Sequence, residues 1–195
     1  MKLIYVRDSK SKGYLALGFY DGENKISLTV EEGEYRRIGA HLSGDSVSPD
    51  ELSEYKRADE IYRAKKRALN ILSYGDNSER MLKIKLFRAG FSKDVIEDTA
   101  EEMKRLGYVE DFRQLLSIVE RLVNIQNIGP LKIVPKLIAK GYKKEKIEAA
   151  IDELMQNGII DFSEAERRLL EKKLPKEADE NEKKQLLYKS GFHVC

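Results

Sequence analysis

The chain has 195 residues, of which 36 are Lys or Arg and 34 are Asp or Glu, so its formal net charge is only +2. With 41% hydrophobic and 36% charged residues, the composition is typical of a helix-rich protein with heavily solvated faces. The single cysteine, Cys195, excludes an internal disulfide and favours a reducing compartment. No stretch approaches the roughly 20 apolar residues of a membrane-spanning helix, so we expect a cytoplasmic protein without membrane contact.

Charge is unevenly distributed along the chain. Residues 1–60 contain 9 Lys and Arg against 12 Asp and Glu, whereas residues 61–195 contain 27 against 22. The positive excess is most concentrated between residues 63 and 93. A local excess of this kind can attract phosphate groups or an acidic protein surface.

The first thirty residues have the character of β-strands. Residues 2–6 are rich in β-branched and aromatic side chains, and residues 14–20 are mostly apolar. Asp21-Gly22 is a strong turn dipeptide, and it precedes a strictly alternating apolar series of Ile26, Leu28 and Val30. These patterns predict about three antiparallel strands, which must pack against a helix to be stable.

Two helices are expected to follow the strands. A short one covers Tyr35, Ile38 and Leu42 and is closed by Gly44. A long one starts at Ser48-Pro49-Asp50-Glu51, because serine can cap the first turn, proline suits the first helical position and the glutamate can reach back to the cap. Its apolar stripe continues to residue 75.

Beyond residue 75 the sequence repeats itself with a period of about fifty residues. Ala89-Gly90-Phe91 recurs as Lys140-Gly141-Tyr142 and as Ser190-Gly191-Phe192, and Leu106-Gly107-Tyr108 recurs as Asn157-Gly158-Ile159. Each glycine suits the left-handed position that follows a helix. A fixed period predicts tandem supersecondary units, each packed on its neighbour.

We therefore predict a mainly α-helical protein with tandem three-helix modules in an elongated array, preceded by a small N-terminal β-strand region. The expected boundaries are 1–47 for the N-terminal region, 48–111 for the first module with its lead-in helix, 112–162 for the second module and 163–195 for the third. Leu82, Leu86 and Phe87 are expected to form the apolar face of the helix that ends at Gly90. The third module is expected to begin at a capping box of Ser163 with Glu166 and to lack its last helix.

The sequence contains no complete catalytic motif of the common classes. Gly13 and Gly18 have the glycine spacing of a phosphate-binding loop, but the lysine and the serine or threonine that must follow are absent. His41 and His193 lie far apart and have no cysteine or paired carboxylates at zinc-ligand spacing. We predict a protein that is not an enzyme and that uses no cofactor or metal.

Cations at helical spacing are the candidate binding residues. One interpretation is a hydrated helix face that keeps the protein in solution, and the other is a series of cations that faces a polyanion or an acidic groove. The second is favoured because basic helices recur in register, whereas the neighbouring helices are acidic. The candidates are Arg63, Lys66, Arg67, Arg80, Lys83, Arg88, Lys132, Lys136 and Lys140.

A series of short segments runs in order through nearly the whole chain. It comprises Phe19-Tyr20-Asp21-Gly22-Glu23, Leu28-Thr29-Val30-Glu31-Glu32, residues 64–72, Ser78-Glu79, Gly90-Phe91, residues 106–111, Gly129-Pro130, residues 169–173 and Gly191-Phe192. None of these segments is specific alone, but the ordered series at these spacings resembles the RecX family, the bacterial regulators of RecA.

The resemblance implies an array of three-helix modules that lies along the groove of the RecA–DNA filament and usually inhibits the recombinase, while also binding DNA weakly. The chain departs from the family pattern where Asn77 replaces an arginine and where residues 124–132 carry fewer cations. We thus expect a monomeric RecX-type regulator of the RecA nucleoprotein filament, with a role in homologous recombination, DNA repair and the SOS response. Two alternatives stay open, a helical DNA-binding protein that acts on transcription and an interaction scaffold unrelated to recombination.

Overall fold

The computed structural model describes residues 1–75, 77–175 and 177–193, so Cys195 lies outside the described residues. The predicted fold class is confirmed, because a small N-terminal sheet precedes a chain that is mainly helical. The described residues form two compact units. The first unit contains Met1–Tyr74 and Lys83–Glu102, and the second contains the described residues within Gly75–Leu82 and Met103–Cys195.

The first unit begins with three antiparallel strands, β1 (Lys2–Asp8), β2 (Tyr14–Tyr20) and β3 (Lys25–Glu31). They form one sheet in the order β1-β2-β3. One face of the sheet is apolar and buried, and it packs with residues of the helices α1 (Glu32–Ile38) and α2 (Pro49–Ser73). The predicted strands, and the helix that a small sheet requires, are thus confirmed.

The start of α2 forms as predicted. The Ser48 side chain accepts a hydrogen bond from the Glu51 N–H, and the Glu51 carboxylate accepts one from the Ser48 N–H at 2.9 Å. Further along α2, the Asp59 carboxylate accepts from the Thr29 N–H at 2.8 Å and so binds a backbone donor on β3. These contacts fix both the start of the helix and its position beside the sheet.

The short helix differs from its prediction. It ends at Ile38, and Leu42 lies beyond it with 72% of its surface exposed. The chain turns away at Ala40, whose φ is 46°, because the next residues pair with β1. The Leu3 N–H donates to the Asp45 carbonyl at 2.9 Å, and the Gly44 N–H donates to the Leu3 carbonyl at 2.7 Å.

The remaining helices follow the repeat. They are α3 (Glu79–Arg88), α4 (Lys93–Arg105), α5 (Asp111–Asn124), α6 (Pro130–Ala139), α7 (Lys144–Gln156), α8 (Phe162–Lys173) and α9 (Glu180–Ser190). The five repeated glycines all have φ between 67° and 89°, as the prediction of left-handed helix ends requires: Gly90, Gly107, Gly141, Gly158 and Gly191.

The second unit has its own core. Leu115, Val119, Ile133, Leu137 and Ile147 are all fully buried there. These side chains come from α5, α6 and α7, and apolar residues of α8 and α9 extend the same core. Helical periodicity therefore gives each of the three helices α5 to α7 a buried face.

Two local predictions are wrong. The N-cap of α8 is Asp161, whose carboxylate accepts from the N–H groups of Ser163 and Glu164, so the expected capping box of Ser163 with Glu166 does not form. An aspartate two residues upstream supplies the cap and starts the helix earlier. Phe87 does not belong to the buried face of α3, since it is 72% exposed while Leu86 is fully buried.

Tyr55 provides a test of the first unit's core. Its ring is fully buried and its hydroxyl lies 3.1 Å from His41 Nδ1. Burial, reinforced by Tyr35 and nearby carboxylates, raises the pKa of Tyr55 from 10.0 to about 12. Because the folded protein favours the neutral phenol, stability is full below the unfolded pKa near 10 and is lost as the pH rises through the folded pKa.

We therefore expect the free energy of unfolding to fall between about pH 10 and 12, and we expect Tyr55→Phe to remove part of that fall. In an alkaline titration of the same variant, the tyrosinate absorbance should lose the component that appears at the highest pH. Tyr188→Phe is the control, because Tyr188 is 73% exposed. Identical titration curves for the parent and Tyr55→Phe would contradict the assignment.

Candidate partner-binding surfaces

Ion pairs within the first unit determine which of its cations are neutralised. Helix α2 faces the acidic helix α4, where Arg57 pairs with Asp94 at 2.7 Å and Lys65 pairs with Glu102 at 2.6 Å. Burial alone would lower the pKa of Lys65, but its hydrogen bond and ion pair with Glu102 raise that pKa overall. The charge on α4 is thus balanced within the unit.

Two of the predicted binding residues belong to this neutralised set. Arg63 Nε lies 2.7 Å from the Asp59 carboxylate, and Lys83 pairs with Glu97 on α4. Both side chains therefore have a local structural role. Their positive charge is partly offset before any partner arrives.

The other predicted cations of the first unit are Lys66, Arg67 and Arg88, and all three are exposed. No carboxylate among the described residues forms an ion pair with any of them. Arg67 and Arg88 share one concavity of about 380 Å³, here called the α2–α3 cleft, which is lined by Arg67, Asn70, Ile71, Tyr74, Lys85 and Arg88.

The α2–α3 cleft combines positive charge with an aromatic ring. Tyr74 is 85% exposed at the end of α2. Guanidinium groups bind phosphate or carboxylate oxygens in a bidentate manner, and an exposed ring offers a flat apolar surface beside them. The cleft therefore suits an anionic group attached to a planar or apolar one.

The second unit presents a separate basic surface on α6. Lys132, Lys136 and Lys140 are exposed along one flank of the helix, because Ile133 and Leu137 occupy the buried flank. Pro130 starts the helix at its first position, and Pro135 lies inside it without ending it. The three lysines thus follow one another at successive helical turns.

Arg80 extends this series at one end. A Cβ built on Gly141 would lie 3.3 Å from the Cβ of Arg80, so Arg80 stands beside the residue that follows Lys140. The Ser78 hydroxyl fixes the arrangement by donating to the Lys140 carbonyl at 2.7 Å. We call Arg80, Lys140, Lys136 and Lys132 the α6 basic row.

The other end of the α6 basic row is tied to α9. The Lys132 ammonium donates to the carbonyl of Lys189. The Gly129 N–H donates to the Ser190 carbonyl at 2.9 Å, and the Leu131 N–H donates to the Gly191 carbonyl at 3.0 Å. Contacts at both ends therefore hold α6 in place within the second unit.

The nine predicted cations thus divide between the two units. The sequence alone missed Tyr74 and Lys85, which line the α2–α3 cleft. Tyr74 could have been found as a tyrosine that falls outside the apolar stripe at the end of a helix. Lys85 could not, because its position beside Arg67 depends on how α3 packs against α2.

Metal-binding groups and membrane-spanning helices are both absent among the described residues. Among residues 1–75, 77–175 and 177–193, no three His, Cys, Asp or Glu side chains form a group that could hold a metal ion. Within the same described ranges, no helix is both long and apolar enough to cross a membrane.

Comparison with known proteins places the chain in a family. The family model described as "RecX, first three-helix domain" matches residues 64–103. "Regulatory protein RecX" of Clostridioides difficile is 30% identical over 179 residues, which cover 88% of this chain and 82% of that protein. The chain belongs to the RecX family. The RecX protein of Caldanaerobacter subterraneus subsp. tengcongensis is 26% identical over 177 residues, which cover 90% of this chain and 86% of that relative.

Solved RecX structures share the fold. A crystal structure of regulatory protein RecX superposes with a TM-score of 0.72 at 22% identity and covers 98% of this chain and 94% of that one. RecX from Lactobacillus salivarius gives a TM-score of 0.59 at 23% identity, over 70% of this chain and 91% of that one. The chain is thus a member of a family whose relatives are named as regulatory proteins.

Proposed function

We propose that this chain is a non-enzymatic regulator that binds RecA nucleoprotein filaments and inhibits strand exchange. Membership of the RecX family carries the proposal, and the two basic surfaces support it. In this proposal the protein acts as a cytoplasmic monomer in homologous recombination, DNA repair and the SOS response. A filament offers both DNA phosphates and acidic protein side chains to the α2–α3 cleft and the α6 basic row.

Four cations of the two surfaces are suited to binding because their charge should contribute little to folding. Arg67, Arg88, Lys136 and Lys140 are exposed, and exposed side chains usually change stability by no more than about 0.5 kcal/mol when substituted. Several cations that each contact an anion add affinity that falls as salt concentration rises. Loss of these cations should therefore weaken binding without unfolding the protein.

The test reverses these four charges together, as Arg67→Glu, Arg88→Glu, Lys136→Glu and Lys140→Glu. We expect the variant to unfold at nearly the parent temperature, to inhibit RecA ATPase and strand exchange much less than the parent, and to show a flatter salt dependence. Lys83 is left out, because a glutamate there would face Glu97 and would change stability as well.

The matched control reverses four exposed lysines elsewhere, Lys12, Lys56, Lys172 and Lys184, and so changes the net charge equally. We expect this control to inhibit nearly as well as the parent. If the first variant inhibits like the parent at low and high salt, the two surfaces do not carry the contact. If the parent has no effect on RecA at micromolar excess but binds a particular duplex tightly, the transcriptional alternative is correct.

A further inference from the structure

The three-stranded sheet has a second face, which points away from the buried core. Cross-strand pairing places four rows of residues on it: Lys2, Tyr20 and Lys25 in one row, Tyr5, Gly18 and Ser27 in the next, Arg7, Ala16 and Thr29 in the third, and Tyr14 and Glu31 in the last. We call these eleven residues the outer sheet face. Among them, all within the described part of the chain, three are cationic and Glu31 alone is acidic.

The charge on this face is opposite to that of the surrounding segment. Lys2, Arg7 and Lys25 give the outer sheet face three exposed cations, although residues 1–60 carry more acidic than basic side chains. A mixture of positive and negative charges would keep a helical or sheet surface equally well solvated. The excess of three cations over one carboxylate on this face therefore points to an anionic partner.

The aromatic rings of the face are arranged around its glycine. Tyr5 lies directly over Gly18, where a Cβ would come within 2.1 Å of the tyrosine ring. Its hydroxyl shares a hydrogen bond with the Ser27 hydroxyl at 3.0 Å. The Arg7 guanidinium lies 4.8 Å from the ring centroid and the Lys25 ammonium 5.8 Å from it. The result is a fixed aromatic ring with two cations over it.

Tyr20 adds a second and more accessible ring. It is 41% exposed, and its hydroxyl is anchored by donating to the Gly22 carbonyl at 2.5 Å. A concavity of about 420 Å³ opens beside it and is lined by Met1, Lys2, Tyr20, Asp21, Gly22 and Ser46. The Asp21 carboxylate in this lining is engaged by the N–H groups of Asn24 and Glu23 at 2.7 and 3.0 Å.

From this arrangement we propose that the outer sheet face binds single-stranded nucleic acid, with a base stacked on Tyr20 and with phosphates held by Lys2, Lys25 and Arg7. An acidic protein segment would satisfy the cations but would leave the ring without a planar partner, whereas every base has a face that stacks. In a duplex, except at its ends, the bases are paired and stacked and cannot reach the ring. The site therefore selects single strands. The proposal is independent of the RecA proposal, because the ligand is the nucleic acid alone.

The test measures binding of a short fluorescein-labelled oligothymidylate to the full chain by anisotropy. We expect Tyr20→Leu to weaken binding at least about fivefold and Tyr20→Phe, which keeps the ring, to bind like the parent. Binding of a duplex of equal length, which the helical cations can also contact, should be unchanged in Tyr20→Leu. Thermal unfolding of each variant establishes that the fold is retained.

A charge-matched pair tests the cations. Lys25→Glu should weaken oligothymidylate binding several-fold at low salt and less at high salt, whereas Lys56→Glu, which places the same change on an exposed position of α2, should have little effect. The Tyr20→Leu loss should persist at high salt, because stacking is not screened. Equal binding by the parent and Tyr20→Leu would overturn the proposal. So would tighter binding of polyglutamate than of an oligonucleotide of equal charge, which would identify an acidic protein segment as the partner.

Discussion

Replacing Gly129 by alanine is expected to lower the free energy of unfolding of the second unit by roughly 3 kcal/mol. A Cβ at this position would lie 2.2 Å from the Gly191 carbonyl oxygen and 2.3 Å from its carbon. These are backbone atoms, and the hydrogen bonds between the start of α6 and the end of α9 hold them in place. The added methyl group must therefore break that junction or distort it.

Urea unfolding followed by circular dichroism measures the loss, and amide hydrogen exchange in α9 locates it. Gly33→Ala is the control, since Gly33 lies in helix α1 and an added Cβ there meets nothing within 4 Å. That variant should be more stable than the parent by about 0.5 kcal/mol, because alanine restricts the unfolded chain more than glycine does. Parent-like stability and exchange in Gly129→Ala would show that the α6–α9 junction does not form.

Leu137→Ala is expected to cost about 2–5 kcal/mol through the cavity that it leaves. Leu137 is fully buried in the core of the second unit, where α5, α6 and α7 contribute the surrounding side chains. Thermal or chemical unfolding measures the effect. Because α6 also carries the lysines of the basic row, partial unfolding of the helix should reduce filament binding in the same variant.

The next residue along the helix supplies the control. Ile138 is 42% exposed, so Ile138→Ala removes apolar surface that already contacts water and should cost less than about 1 kcal/mol. The two substitutions change neighbouring positions of one helix, which point about 100° apart around its axis. If both cost the same, the assignment of the buried flank of α6 is incorrect.

Features of the fold that depend on neighbouring residues could be predicted from the sequence. The alternation of Ile26, Leu28 and Val30 identified β3, and the Ser48 capping box identified the start of α2. The repeated glycines identified the ends of helices, because the left-handed conformation excludes most other residues. Each of these signals acts over a few positions, so no knowledge of the tertiary structure was needed.

Features that depend on distant pairing could not be predicted. Helix α1 ends before Leu42 because residues around Gly44 hydrogen-bond with β1, more than forty residues away in some pairs. Asp161 and Ser163 are both residues that cap helices, and only the observed hydrogen bonds decide between them.

For the candidate surfaces too, the sequence predicted the positions of charged residues but not the contacts that depend on packing. Charge counting found Arg63 and Lys83, but their neutralisation depends on carboxylates that the packing of the helices brings close. The outer sheet face could not be predicted from the sequence, because Lys2, Tyr20 and Lys25 come from three strands and become neighbours only when the strands pair. Its positive charge was also hidden in a segment whose total charge is negative.

The hydrogen bond between Ser78 and the carbonyl of Lys140 restricts how this part of the chain can change in length during evolution. One residue inserted early in α6 would turn every later side chain by about 100° about the helix axis. Lys136 and Lys140 would then leave the flank that they share with Arg80. Insertions and deletions within α6 that preserve the surface must approximate whole turns, of about four or seven residues. We therefore expect homologues to vary in length between helices far more often than within this one.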